Sequence, residues 1–452
     1  MRYAYQEKML LKDKTRRRLA LYKLAKGTDI AFSRNHITAT GLAVMISLVA
    51  IRLCIYTYQN RPTTSLAATL GTIGFSIAIP IIIILGWLIA LFIIGTPKEA
   101  WLLDDKMKRI CVKNNVDEAP YLINIEQDSR PNIKKYTFFS YGIPLSFFED
   151  NIEEIEAAMN VNIADIRQGK NKYHIIIRAA RYENALPPVI LWNDNYIDTT
   201  DFNLVLGESL LGAEAVNLNT IPHILIGGST GSGKTILLKN LLYQAYCKNA
   251  LVYVADFKGG VDFNAKWRNL VNVVTDIDDL ITILDEIVKT LEERKALFAQ
   301  KNCANLKDYN ENHPSANYAR IIFGCDEVAE LLDKTGALDK AEKEKISIVE
   351  KRLSTIARQG RAFGIHLLLA TQRPDANILN GQIRNNMDLR ICGRADDVLS
   401  KIILDNTDAS ERIPKYEKGL FLTNTNMVIR GYLFTDENLP EVTTYEFEKP
   451  YS

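Results

Sequence analysis

The chain contains 452 residues, 47% of them hydrophobic and 24% charged, with a formal net charge of +1. That length carries two or three domains with ample cores, and the balanced charge excludes partner capture by a global electrostatic field, so any charged contact must be local. Six scattered cysteines (Cys54, Cys111, Cys247, Cys303, Cys325, Cys392) without a C-x-x-C pair, and five histidines without H-E-x-x-H spacing, exclude a recognisable disulfide framework or zinc site and fit a reduced interior.

Residues 1–36 carry ten basic residues, among them Arg16, Arg17 and Arg18, against Glu7, Asp13 and Asp29. Two apolar runs follow, 37–56 and 66–94. At about 30 Å as a helix, each is long enough to cross a bilayer. The first holds one charge, Arg52, near its far end, where it can snorkel; the second holds none and is kinked by Pro80. The link from Gln59 to Ser65 is short, so the pair reads as a transmembrane hairpin. Positive flanks stay cytoplasmic, and Lys98, Lys106, Lys108 and Arg109 repeat the signal after the second run. The expectation is therefore a membrane protein with two spans and both termini in the cytoplasm. The same basic run also suits nucleic acid.

Residues 100–200 read as a small α+β linker domain. The spacing of Ile152, Ile155, Met159, Ile163 and Ile166 predicts one helix over 151–168, and Tyr173–Arg178 predicts a strand. Pro187-Pro188 then breaks the chain. Over 201–440, strands are predicted at 223–226, 251–255, 320–325, 365–370, 389–393 and 419–422. Helices are predicted at 234–246, 277–300, 346–359 and 395–404. Apolar, non-alternating strands interleaved with helices imply a parallel sheet covered on both faces, an α/β fold. The lysine- and glutamate-rich stretch 339–345 reads as a solvated helix end or loop, and 441–452 as a tail.

The chemistry is concentrated in three segments. Gly228-Ser229-Thr230-Gly231-Ser232-Gly233-Lys234-Thr235 is G-x-x-x-x-G-K-T between a predicted strand and a predicted helix. Its glycines let backbone N–H groups surround phosphates at a helix N-terminus. Lys234 would reach the β- and γ-phosphates of ATP, and Thr235 would ligate Mg²⁺. In Arg320–Glu327 an apolar strand ends in Asp326, a second Mg²⁺ holder, and Glu327, which would polarise the attacking water. In Ala357–Pro374 a basic helix end leads into a strand that stops at Gln372, which would sense the γ-phosphate. An arginine offered to a neighbour's phosphate would be a finger. His366, inside that strand, reads as a core histidine.

These segments carry a resemblance. Residues 200–435 resemble the FtsK/SpoIIIE family of membrane-anchored DNA-pumping ATPases. The resemblance rests on Leu206-Gly207-Glu208-Ser209, Pro222-His223-Ile224-Leu225, the Thr230–Thr235 loop, Asp256-Phe257-Lys258, Gly364-Ile365-His366 through Thr371-Gln372-Arg373-Pro374, Ile403-Leu404-Asp405 and Lys418–Leu422. It implies a RecA-like P-loop motor that assembles as a hexamer and threads DNA. It implies that Arg361 is the trans-acting arginine and that Arg373, Arg384, Arg394 and Lys401 contact DNA, through phosphates rather than bases. Phe257 departs from the family's D-P-K, and Lys401 stands where the family has Arg, which is not an equivalent group. With two spans, no long linker and an end at Ser452, no C-terminal winged-helix module is expected. The compact form resembles coupling proteins of Gram-positive integrative and conjugative elements, with a relaxase and channel proteins as implied partners. Alternatives are a type VII-like protein-export ATPase, a chromosome or plasmid-partition pump, and a non-motor nucleotide switch.

Overall fold

A computed structural model of the chain describes residues 17, 19–33, 37–60, 66–337, 339–372 and 381–441. The chain divides into two compact units, Met1–Asn184 and Ala185–Ser452.

In the first unit, helices Ile37–Gln59 and Leu66–Ile94 pack on each other, and the Trp87 indole donates to Ser47 Oγ at 3.0 Å. Among the described residues one helix segment, Ile77–Ile94, is long and apolar enough to cross a membrane. Ala43–Gln59 is a shorter apolar helix. A further helix, residues 19–31, lies along the end of Leu66–Ile94. A Cβ on Gly27 would overlap the Leu91 carbonyl, and one on Gly95 would overlap the Lys23 carbonyl, so this contact requires both glycines. Lys26 of the same helix donates to the Ile123 carbonyl at 2.8 Å and to the Asn124 side chain.

The rest of this unit is an antiparallel sheet of Tyr121–Gln127 (β1), Ile133–Phe139 (β2), Val161–Gln168 (β3) and His174–Arg181 (β4), in the order β1-β2-β4-β3. Helices Ala100–Lys113, Leu145–Asp150 and Ile152–Met159 pack on it. Their Met107, Phe148 and Ile155 share a core with Leu122, Phe138 and Ile177. Burying each such side chain contributes about 1.5–3 kcal/mol. The single helix expected over 151–168 is instead a helix and a strand. Asn160 takes a left-handed conformation (φ 56°, ψ 53°) and ends the helix. The residues beyond it continue as β3, where Ile163 N–H donates to Glu156 Oε1 at 2.6 Å.

The second unit is built on ten strands: Asn203–Ser209 (β5), Gly212–Asn217 (β6), Ile224–Gly227 (β7), Leu251–Ala255 (β8), Asn272–Val274 (β9), Ile321–Cys325 (β10), Ile365–Thr371 (β11), Leu389–Cys392 (β12), Leu420–Thr423 (β13) and Val428–Arg430 (β14). Their order is β6-β5-β14-β13-β12-β7-β11-β10-β8-β9. The six from β12 to β9 are mutually parallel. Successive side chains of each strand enter opposite layers. Leu225, Phe323, Leu367 and Leu369 pack with helices Ile277–Lys301 and Lys340–Gln359. Ile224, Ile226, Ile322 and Leu368 pack with helix Lys234–Cys247. Burial on both faces is why these strands read as unbroken apolar runs.

The expected parallel sheet is present, and β13, β14, β5 and β6 extend it in antiparallel fashion. Only the turn 424–427 separates β13 from β14, with Thr423 N–H donating to the Met427 carbonyl at 3.0 Å, and so short a link cannot make a parallel crossover. Residues 185–200 pack with this unit: Leu191 bridges to Leu433, and Trp192 N–H donates to the Leu433 carbonyl. Asp339, in the stretch expected as a helix end or loop, caps helix Lys340–Gln359.

Candidate active site

β7 runs out at Gly227, and the chain turns through Gly228–Gly233 into helix Lys234–Cys247. Gly231 and Gly233 hold φ of 77° and 99°, a region that favours glycine. No side chain caps this helix, so its first-turn N–H groups remain available to an anion. Ser232 Oγ is buried without a hydrogen-bond partner in the protein. An uncapped helix start, a turn that needs glycine and an orphan hydroxyl together fit a phosphate chain. Beside the loop lies a cleft of about 500 Å³, walled by Val189, Ile190, Gln372, Lys418, Arg430 and Tyr432.

The neighbouring strand ends close the site. β10 ends at Cys325, which presents Asp326 and Glu327, both buried (2% and 9% exposed), beside the 3%-exposed Lys234. Lys234 Nζ donates to the Asp326 carbonyl at 2.6 Å and to Asp326 Oδ1 at 2.8 Å. The Thr235 hydroxyl donates to the same Oδ1 at 2.7 Å. A hydroxyl and a carboxylate oxygen side by side form a hard oxygen pair suited to Mg²⁺. Glu327 accepts from the Thr371 hydroxyl at 2.8 Å and from the Gln372 backbone N–H at 2.9 Å. The Gln372 side chain accepts from the Thr230 hydroxyl at 2.7 Å. Gln372 thus touches the phosphate loop and Glu327 at once.

Electrostatics separates the two carboxylates. Burial pushes Asp326 up, but the Lys234 charge and hydrogen bonds from Lys234, Lys258 and Thr235 outweigh it and leave the group below its ordinary range. Burial also pushes Glu327 up, and there the Thr371 hydrogen bond and Lys234 charge do not compensate, so its pKa is raised. One carboxylate is held ionised and its neighbour is tuned toward proton exchange.

The other expected residues lie elsewhere. Arg361 is exposed before β11, with Nε donating to the Asn219 carbonyl at 3.4 Å. Seven residues of β11, about 23 Å of strand, separate it from Gln372 of its own chain. Arg384 is paired with Asp405 at 2.7 Å. Arg394, expected at DNA, donates to the Thr230 carbonyl of the phosphate loop at 2.5 Å and to the Lys415 carbonyl at 2.7 Å. Lys401 is exposed on helix Asp397–Leu404. Arg373 lies outside the described residues. His366 is fully buried between the Arg320 guanidinium and the Pro222 carbonyl, both at 3.0 Å, which is the environment of a core histidine.

Sequence reasoning assigned no role to Lys258, whose Nζ donates to Asp326 Oδ2 at 2.6 Å, nor to Thr371. It also missed Val189 and Ile190 as cleft walls. Lys258 had a signal: Asp256-Phe257-Lys258 follows β8, the strand beside β10.

Comparison with known proteins agrees with this geometry. Residues 195–376 match the FtsK/SpoIIIE family. Among curated relatives, DNA translocase FtsK of Caldanaerobacter subterraneus is 32% identical over 46% of this chain and 29% of its own length. That of Staphylococcus aureus is 29% identical over 54% of this chain and 32% of its own. The chain thus spans about a third of the length of these relatives. Among solved structures, the monomer form of the pCW3 conjugation coupling protein TcpA with ATPγS is 33% identical. It covers 74% of this chain and 96% of that one, with a TM-score of 0.56.

Proposed function

Because this chain belongs to the FtsK/SpoIIIE family and is an ATPase, we propose that it is a membrane-anchored motor that uses ATP hydrolysis to move DNA, and that it couples DNA to a conjugative transfer channel. The observation that carries the ATPase chemistry is the convergence of Lys234, Thr235, Asp326 and Glu327 beside the phosphate loop. Lys234 and the loop N–H groups bind the phosphates, and the base and sugar occupy the cleft lined by Ile190 and Tyr432. Thr235 and Asp326 would hold Mg²⁺, which when bound neutralises charge on the β- and γ-phosphates. Glu327 orients the attacking water and accepts its proton. Gln372 links the loop to Glu327 and reports the state of the γ-phosphate. Arg361, too far from its own loop, serves the site of an adjacent copy in a homo-oligomer, six-membered as the family resemblance implies.

The likeness to the TcpA coupling protein over nearly all of that chain supports the conjugative role, with a relaxase and channel proteins as partners. The apolar helices Leu66–Ile94 and Ile37–Gln59 support a two-span anchor with cytoplasmic termini. Arg373, Arg384, Arg394 and Lys401 stand as DNA contacts to be tested, with the Arg394 guanidinium also bound to the Thr230 carbonyl of the phosphate loop.

The test is hydrolysis by the full chain in lipid nanodiscs, with and without DNA. DNA should raise the rate. Lys234→Ala, Glu327→Gln and Arg361→Ala should each abolish the stimulation, and mixing Lys234→Ala with Arg361→Ala should recover part of it, because some junctions then pair two intact halves. Equal rates with and without DNA would refute translocation, and stimulation by a secreted peptide instead would point to protein export. Failure of the mixture to recover would remove Arg361 from the neighbour's site.

A further inference from the structure

Lys258 stands outside every role assigned so far, yet it makes one of the closest contacts in the site. Its Nζ lies 2.6 Å from Asp326 Oδ2, while Lys234 and Thr235 occupy Oδ1. The two oxygens of one buried carboxylate are thus divided between two sets of donors. A buried carboxylate without partners is costly. In the proposed reading, Lys234 must turn toward the phosphates when nucleotide binds, which removes one of the two ammonium groups from Asp326.

The loop that carries Lys258 is built to aim it. Buried Asp256 accepts the Lys258 backbone N–H at 3.1 Å and the Phe263 N–H at 3.0 Å, closing the loop on itself. Gly259 and Gly260 turn the chain at φ of 78° and 73°. Phe263 and Trp267 anchor the far side in the core. Asp262 shares the ammonium at 3.4 Å. The lysine is therefore placed by backbone geometry that does not depend on Lys234 or on the phosphate loop.

We propose that Lys258 is a positioning residue: it pins Asp326 Oδ2, so that Oδ1 stays turned toward the Thr235 hydroxyl where Mg²⁺ would bind, and it keeps the carboxylate paired after Lys234 departs. Without it, the Asp326 side chain can rotate, and the oxygen pair that receives the metal loses its alignment. This inference rests on the ATP–Mg²⁺ reading of the site. Loss of an outer partner of a metal-binding carboxylate weakens metal affinity by about 10–100-fold.

The test uses the full chain and a fluorescent ATPγS analogue, titrated with Mg²⁺ and separately in EDTA. Lys258→Met, which keeps the apolar stem, should weaken the apparent Mg²⁺ affinity by at least about tenfold while leaving analogue affinity in EDTA unchanged. It should lower kcat far more than it changes KM, and Lys258→Arg should restore most of the Mg²⁺ response. Superimposable Mg²⁺ titrations for wild type and Lys258→Met would overturn the inference. So would an equal loss of binding in EDTA, which would mark a merely structural ion pair. A wild-type chain whose binding ignores Mg²⁺ would instead overturn the reading beneath it.

Discussion

Glu327 is the residue whose environment speaks most directly to mechanism. Its pKa is raised above the ordinary 4.5 by burial, against the opposing pull of Thr371 and Lys234. A water-activating carboxylate must be ionised, so the acid limb of kcat should fall at a pH above 4.5, measured by single-turnover hydrolysis across pH; a limb at or below that value would count against Glu327 as the base. The stability sign is opposite for the two carboxylates. Because the folded-state pKa of Glu327 is raised, its contribution is present at low pH and is lost as pH rises through that value. Because Asp326 is depressed, its contribution is present above its unfolded value and is lost as pH falls through the folded one. Lys234, Thr235, Asp326 and Glu327 were legible in the sequence, because a glycine-rich turn and an acidic strand end are local signals. The roles of Thr371 and Lys258 were not, although Lys258 sits in a recognisable motif, because each role comes from a carboxylate 44 or 68 residues away in the chain.

At the level of elements, the parallel core was legible because strands buried on both faces are continuous apolar runs, and β8 and β11 fell where the pattern put them. The antiparallel extension was not. β5 and β6 contain Gly207, Glu208 and Glu214, which interrupt any apolar run, and β14 has three residues. The error over 151–168 has a single-residue cause. Apolar spacing fits a helix throughout, but Asn160 adopts the left-handed conformation that asparagine tolerates better than most residues. Replacing Asn160 by Gly should leave stability nearly unchanged, whereas Asn160→Val should cost about 1–2 kcal/mol, read from urea unfolding. Equal stabilities for the two variants would mean that the turn, rather than Asn160, sets the break.

At the scale of the whole molecule, neither the proposed ring nor the proposed DNA path is legible in one chain, because both would be made between copies. The sequence does carry the resemblance, and its phosphate loop and Gln372 fall at the end of the sheet where β7, β10 and β11 finish together. In the first unit, the apolar runs were legible by length, but the helix at 19–31 was read only as charge. Its contacts give the four-stranded sheet a second tie to the hairpin, through Gly27 at Leu91 and Lys26 at Ile123, besides the covalent one at Gly95–Glu99. A protease that nicks the chain between Gly95 and Glu99 should therefore fail to shed the sheet into the soluble fraction after ultracentrifugation of membranes, whereas the same nick in Lys26→Ala should release it. Release from both would mean that the peptide backbone alone is the tether.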